Sequence, residues 1–200
     1  MAESMIRTFI AIELPDNVKR GLGKTITTCK EQVASRSVKW VAVDSIHVTL
    51  KFLGDVPASR IEDIRRALGP LCEGAPPMRL TVAGLGAFPS PTAPRVLWAG
   101  LEGDLGPLGA LARKIDEALV ELGFPAENRP FAPHLTLARL REDATAGTRA
   151  LLGSMVTQSR PAPPLPFDAR SASVMRSQLT PQGPIYSRMA ELPFGARISE

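Results

Sequence analysis

The chain repeats itself. Phe9-Ile10-Ala11-Ile12-Glu13-Leu14 and, 87 residues later, Val96-Leu97-Trp98-Ala99-Gly100-Leu101 are apolar runs of strand length. After each comes a helical spacing of apolar residues: Val18, Leu22, Ile26, Cys29 and Val33 in one copy, Leu108, Leu111, Ile115, Leu119 and Leu122 in the other. Gly123 and Pro125 stop the second helix. Next, at the same offset, stand His47-Val48-Thr49-Leu50 and His134-Leu135-Thr136-Leu137. A further helical pattern follows each. Ile61, Ile64, Leu68 and Leu71 form the first, led by Ser59 and Glu62 at capping-box spacing; Leu151, Leu152, Met155 and Val156 form the second, after Thr145. Strand patterns close both units, from Arg79 to Phe88 and from Phe167 to Met175. A duplicated β-α-β-α-β unit of this length makes two related lobes, since solenoid repeats run only about 20–50 residues. The copies span about 6–90 and 93–177 of a single bilobal domain, 1–200, with a final strand near 186–192. The Pro-rich stretch from Phe88 to Pro94 marks the boundary between them, and a second cluster, Pro161 to Pro166, precedes the closing strands. Duplication leaves room for strand exchange, so the first strand can complete the other half's sheet.

The two tetrapeptides hold both histidines of the chain. On β-strands, the two-residue period places His47 beside Thr49, and His134 beside Thr136, while Val48, Leu50, Leu135 and Leu137 point into a core. Lobes packed face to face bring the imidazoles to opposite walls of one cleft. Two groups titrating near pH 6.5 can then act as general base and general acid, and the threonine hydroxyls can donate to an oxyanion. A phosphodiester fits such a site without a metal. A lone His-x-Thr-Leu occurs by chance in many proteins, but two copies that use every histidine favour chemistry over a structural role. Zinc sites need three or four convergent ligands, whereas Asp44 is the only carboxylate near His47 and no His-x-His occurs, so no metal or other cofactor is expected.

The net charge of +4 suits an anionic partner, and 18 of the 24 basic residues are arginine, the side chain best shaped for phosphate. Biased base composition would give the same excess. The charge is too small for a long duplex and suits recognition of a nucleic-acid end. Cys29 and Cys72 lie at helix-like apolar positions and read as buried thiols. No apolar run reaches the length of a membrane span and the first residues carry no secretory pattern, so a cytoplasmic protein with no membrane partner is expected. A monomer is expected as well, though no residue pattern speaks to the oligomeric state.

Beyond the tetrapeptides, Arg7-Thr8-Phe9-Ile10-Ala11-Ile12, Trp40-Val41 and Lys51-Phe52-Leu53-Gly54 are joined by Gly86-Ala87-Phe88-Pro89-Ser90-Pro91, Arg95-Val96-Leu97-Trp98 and Arg129-Pro130-Phe131-Ala132-Pro133. With them the chain resembles, over nearly its whole length, the two-histidine phosphoesterase superfamily, and within it the bacterial RNA 2′,3′-cyclic phosphodiesterases, also called 2′-5′ RNA ligases. The resemblance implies an α+β fold of two pseudo-symmetric lobes, each an antiparallel sheet with helices packed outside, around a central active-site cleft. It implies opening of a 2′,3′-cyclic phosphate at an RNA 3′ end to a 2′-phosphomonoester, with tRNA fragments and small cyclic nucleotides as further candidate substrates. His47 becomes the proton donor to the leaving 3′-oxygen and His134 the base that activates water. Thr49, Thr136 and Arg139 become phosphate contacts, although Arg139, five residues past His134, needs a bulge or a long reach to join them. Arg129 and Lys51 are candidate electrostatic helpers, with salt-bridged surface positions an equally good reading. Trp40 and Phe88 are candidate stacking platforms for a base, as is Trp98, for which core packing is the favoured reading.

Weak 2′-5′ joining is the same ring opening with a 5′-hydroxyl in place of water as the attacking group. A pure RNA-binding module is the reading from another class. It has no need of two proton carriers.

Overall fold

The computed structural model describes residues 3–158, 164–181 and 183–195. In chain order its elements are β1 (Met5–Glu13), α1 (Asp16–Gln32), β2 (Val38–Trp40), β3 (His47–Pro57), α2 (Ile61–Glu73), β4 (Met78–Phe88), β5 (Val96–Gly103), α3 (Leu105–Glu121), β6 (Leu135–Leu140), α4 (Ala146–Gln158), β7 (Leu165–Ala169), β8 (Ser171–Thr180) and β9 (Gly183–Pro193). The fold is α+β. Its strands join one nine-stranded sheet in the order β7-β4-β5-β6-β3-β1-β8-β9, with β2 pairing β6, and the pairings are antiparallel.

Positions 87 residues apart hold matching places in this sheet. β1 and β3 of the first copy lie side by side, as do β5 and β6 of the second. The strand that changes sides is the third of each unit: β4 pairs with β5, and β8 with β1. The halves meet where Val48 pairs with Leu135. Val48, Leu135 and Leu137 are fully buried, and Leu50 nearly so, in one core with Val18, Leu22 and Ile26 of α1 and Leu108, Leu111 and Ile115 of α3. Each such burial is worth about 2 kcal/mol, so a one-residue slip that turned the histidines inward would forfeit all of them. Helices cover that face. The other face is left for the cleft.

Some local expectations are corrected. Ser59 caps no helix: its hydroxyl donates to Glu3, Glu62 pairs with Arg65, and α2 starts at Ile61 behind a 3₁₀ turn. Thr145 does cap α4, accepting the Thr148 N–H at 3.1 Å. The single strand expected from Phe167 to Met175 is two, broken at Arg170. Of the second proline cluster, residues 161–163 lie outside the described residues. Both cysteines are buried free thiols.

Lys51 is also relocated. Between Thr49 and Lys51 the register of β3 against β1 shifts, leaving Leu50 as the extra residue of a bulge. Leu50 and Lys51 therefore both point to the helix side. Lys51 is 5% exposed there, paired with Asp116 of α3 and donating to the Pro125 carbonyl at 2.7 Å. It is a core ion pair, remote from the cleft. Removing Asp116 leaves a buried ammonium without its counter-charge, so Asp116→Ala should cost about 2–4 kcal/mol in urea unfolding, and Lys51→Met with Asp116→Leu should recover most of it. A double variant no better than the single one would show that the pair is not what holds this contact.

Candidate active site

His47 opens β3, and His134 immediately precedes β6. Because Val48 pairs antiparallel with Leu135, His47 lies opposite Thr136 and Thr49 lies opposite His134. Cross-strand neighbours stand about 5 Å apart at Cβ and diagonal ones about 7 Å. The four side chains thus form a compact quadrilateral on the cleft face, with the imidazoles at opposite corners.

Both imidazoles are held in the same way. Nδ1 of His47 donates to the Ser45 carbonyl at 2.9 Å, and Nδ1 of His134 donates to the Ala132 carbonyl at 2.7 Å. A carbonyl only accepts, so Nδ1 carries the hydrogen in each ring, and Nε2 is left to exchange protons. Aromatic rings fix the planes. Phe9 stacks on His47 at 4.7 Å and Tyr186 meets it edge-on at 5.2 Å, while Phe88 meets His134 edge-on at 5.0 Å with Trp98 at 6.4 Å. Among the described residues, the Thr49 and Thr136 hydroxyls have no protein partner and Arg139 has no carboxylate partner, so all three are available to a ligand.

Arg139 reaches the cleft through a second bulge. The register between β5 and β6 shifts from Leu97–Ala138 to Trp98–Thr136, with Leu137 as the extra residue. Leu137 and Ala138 both go to the core, and Arg139 returns to the face of His134 and Thr136. Its counterpart 87 residues earlier is Phe52, which the bulge at Leu50 turns into the cleft, 62% exposed.

A cavity of about 540 Å³ is lined by His47, Thr49, Thr136 and Arg139 together with Trp40, Phe52, Ile185 and Tyr186. It opens on the His47 side, between β2 and the β8–β9 hairpin, and His134 is not among its walls. Phe88 does not line it: its ring buttresses His134 and Trp98. Trp98 departs from the core reading. Leu97 and Ala99 take the core, so Trp98 faces the cleft side and lies on Gly86, where a Cβ would come within 2.1 Å of the indole. Arg129 is exposed in the loop before β6, outside the cavity. Phe52, Ile185 and Tyr186 were missed as wall residues. Their hairpin and bulge positions carry no local signature, although the 87-residue offset pairing Phe52 with Arg139 could have pointed to the first.

No group of three or more His, Cys, Asp or Glu residues poised for a metal ion occurs among the described residues, nor is any helix long and apolar enough to cross a membrane. The family described as LigT like Phosphoesterase matches residues 12–98 and 103–186. The chain belongs to this family. The RNA 2′,3′-cyclic phosphodiesterase of Methanothermobacter thermautotrophicus is 31% identical over 184 residues, 92% of this chain and 96% of that protein. The one from Geobacillus stearothermophilus is 37% identical over 131 residues, which span 66% of this chain and 41% of that longer protein. The crystal structure of TT0787 of Thermus thermophilus has a TM-score of 0.77 at 29% identity, covering 96% of this chain and 99% of that one.

The charge state of His47 is set mainly by burial, which pushes its pKa down to about 4 against the upward pull of the Ser45 carbonyl and the Glu13 carboxylate; His134 adds to the downward push. A histidine lowered on folding binds more protons when unfolded, so stability is complete above about pH 6.5 and falls as the pH drops towards 4. At pH 4.5 the loss should be roughly 2 kcal/mol relative to neutral pH. His47→Gln should show a loss smaller by that amount in urea melts at the two pH values. Equal losses in the two proteins would mean that His47 is not held neutral by the fold.

Proposed function

We propose that this cleft hydrolyses RNA 2′,3′-cyclic phosphate ends to 2′-phosphomonoesters by metal-independent general acid–base catalysis. One observation carries the reading: two imidazoles, each with Nδ1 tied to a carbonyl, flank on one face two threonine hydroxyls without a protein partner and an arginine without a carboxylate partner among the described residues. Water attacks phosphorus in line, and His134 Nε2 takes its proton. The bond from phosphorus to the 3′-oxygen breaks, and His47 Nε2 gives that oxygen a proton, leaving a 2′-phosphate and a 3′-hydroxyl. Thr49, Thr136 and Arg139 hold the non-bridging oxygens and offset their growing charge. The names of the curated relatives support the substrate class.

The cavity supports the division of roles. A nucleoside needs an enclosed, mainly apolar pocket, and the one beside His47 has walls from Trp40, Phe52, Ile185 and Tyr186. The leaving 3′-oxygen belongs to that nucleoside, so the donor is the histidine on its side. Water, or the 5′-hydroxyl of a second RNA in the weak joining reaction, enters beside His134. Small cyclic nucleotides and the cyclic ends of tRNA fragments present the same terminal group to this pocket.

The donor must be charged, whereas His47 is neutral in the free protein at pH 7. The proton is taken up from solvent as the substrate binds, because a phosphodiester anion against the imidazole favours imidazolium. Binding of adenosine 2′-monophosphate at pH 7 should therefore be accompanied by proton uptake, read by calorimetry in buffers of different ionisation enthalpy. The uptake should vanish in His47→Gln and persist in His134→Gln; the opposite pattern would exchange the two roles.

An oligonucleotide ending in a cyclic phosphate should be opened in the presence of excess chelator, with a bell-shaped pH profile. His47→Ala or His134→Ala should each lower the rate by at least about 100-fold while leaving the fold intact. Full activity in either variant, or a product phosphorylated on the 3′-oxygen, would rule the mechanism out.

A further inference from the structure

A site built by duplication gives its two histidines the same surroundings unless something distinguishes them. Opposite His47 on β1 stands Glu13. Its counterpart on β5, opposite His134 by the register of Ala99 with Leu135, is Gly100, where a Cβ would come within 2.6 Å of the Ala83 carbonyl oxygen. One imidazole has a carboxylate on the neighbouring strand. The other has no room for a side chain there.

Glu13 is built in. Its Oε1 accepts Arg188 Nε and the Ser173 hydroxyl, both at 2.7 Å, and its Oε2 accepts a second Arg188 N–H at 3.2 Å. Arg188 also donates to Glu191 at 2.9 Å, so β1, β8 and β9 are laced together beside the cleft. Burial pushes the Glu13 carboxyl up, but the bonds from Arg188 and Ser173 and the charges of Arg188 and Lys19 outweigh it and keep the group ionised.

We propose that Glu13 and Arg188 are positioning residues that set the proton affinity of His47 and so make it, and not His134, the proton donor. The catalytic half of this inference rests on the proposed mechanism; the electrostatic half does not. Among the described residues, the charged and titratable groups facing His47 are Glu13 on β1, Lys39 on β2, His134 just before β6, Arg139 on β6, and Tyr186 and Arg188 on β9. Glu13 is the carboxylate in this set, and Arg188 moderates it.

The two partners must then act in opposite senses. Glu13→Gln removes the anion and frees a cation, lowering the proton affinity of His47. Arg188→Gln leaves an unneutralised carboxylate and raises it. With only two histidines in the chain, imidazole resonances assigned with His134→Gln can be titrated directly by NMR. The His47 midpoint should move down in Glu13→Gln and up in Arg188→Gln, with His134 moved less in both. The pH profile of kcat/KM for a cyclic-phosphate oligonucleotide should shift with it. Midpoints that stay put, or move in the same direction in folded variants, overturn the proposal. If the NMR midpoints separate while the kinetic profile does not follow, the electrostatic assignment stands and His47 is not the donor. Should Glu13→Gln fail to fold, an Arg188→Gln protein whose His47 midpoint does not rise is sufficient refutation.

Discussion

The pairing of Val48 with Leu135 is the contact on which the site depends. It joins the two halves of the sheet, and being antiparallel it sets each histidine against the other motif's threonine. The apolar residues that alternate with the motif hold this register, since they sit in a core shared by α1 and α3. Packing on one face therefore positions chemistry on the other. Catalytic geometry and hydrophobic burial are here two consequences of one strand register.

Two bulges refine that register. Each adds a residue after the His-x-Thr frame and reverses the alternation beyond it, at Leu50 in β3 and at Leu137 in β6. The fifth residue after each histidine is thereby returned to the cleft. The residues at that place differ: Arg139 brings a charge to the cavity wall, whereas Phe52 brings an aromatic face. The same reversal carries Lys51 into the core, where Asp116 compensates its charge.

Burial and charge oppose one another at His47. The ring is packed between Phe9 and Tyr186, which excludes water and disfavours the imidazolium, while a carboxylate across the strand favours it. A histidine balanced in this way is sensitive to an incoming anion, because the added charge falls where solvent is largely excluded. His134 has aromatic neighbours too, but a glycine in place of the carboxylate. Near-symmetry of the backbone thus coexists with asymmetry of the field.

Much of this was legible in the residues. Period-two alternation separated the core leucines and valines from the histidine–threonine face, and helical spacing located the four α-helices of the described residues. These are local patterns, written in the order of side chains along a strand or helix. The exchange of β4 and β8 between halves, the break at Arg170, the choice of a bulge over a long reach for Arg139, the bulge that sends Lys51 away, and the hairpin that closes the cavity beside His47 were not legible. Each depends on which strands become neighbours and in what register, and register is decided by the sum of burial across the whole sheet. The sequence alone determined that each histidine would share a strand face with a threonine; tertiary packing decided that the two pairs share one cleft, because only the paired strands bring residues 87 positions apart into contact.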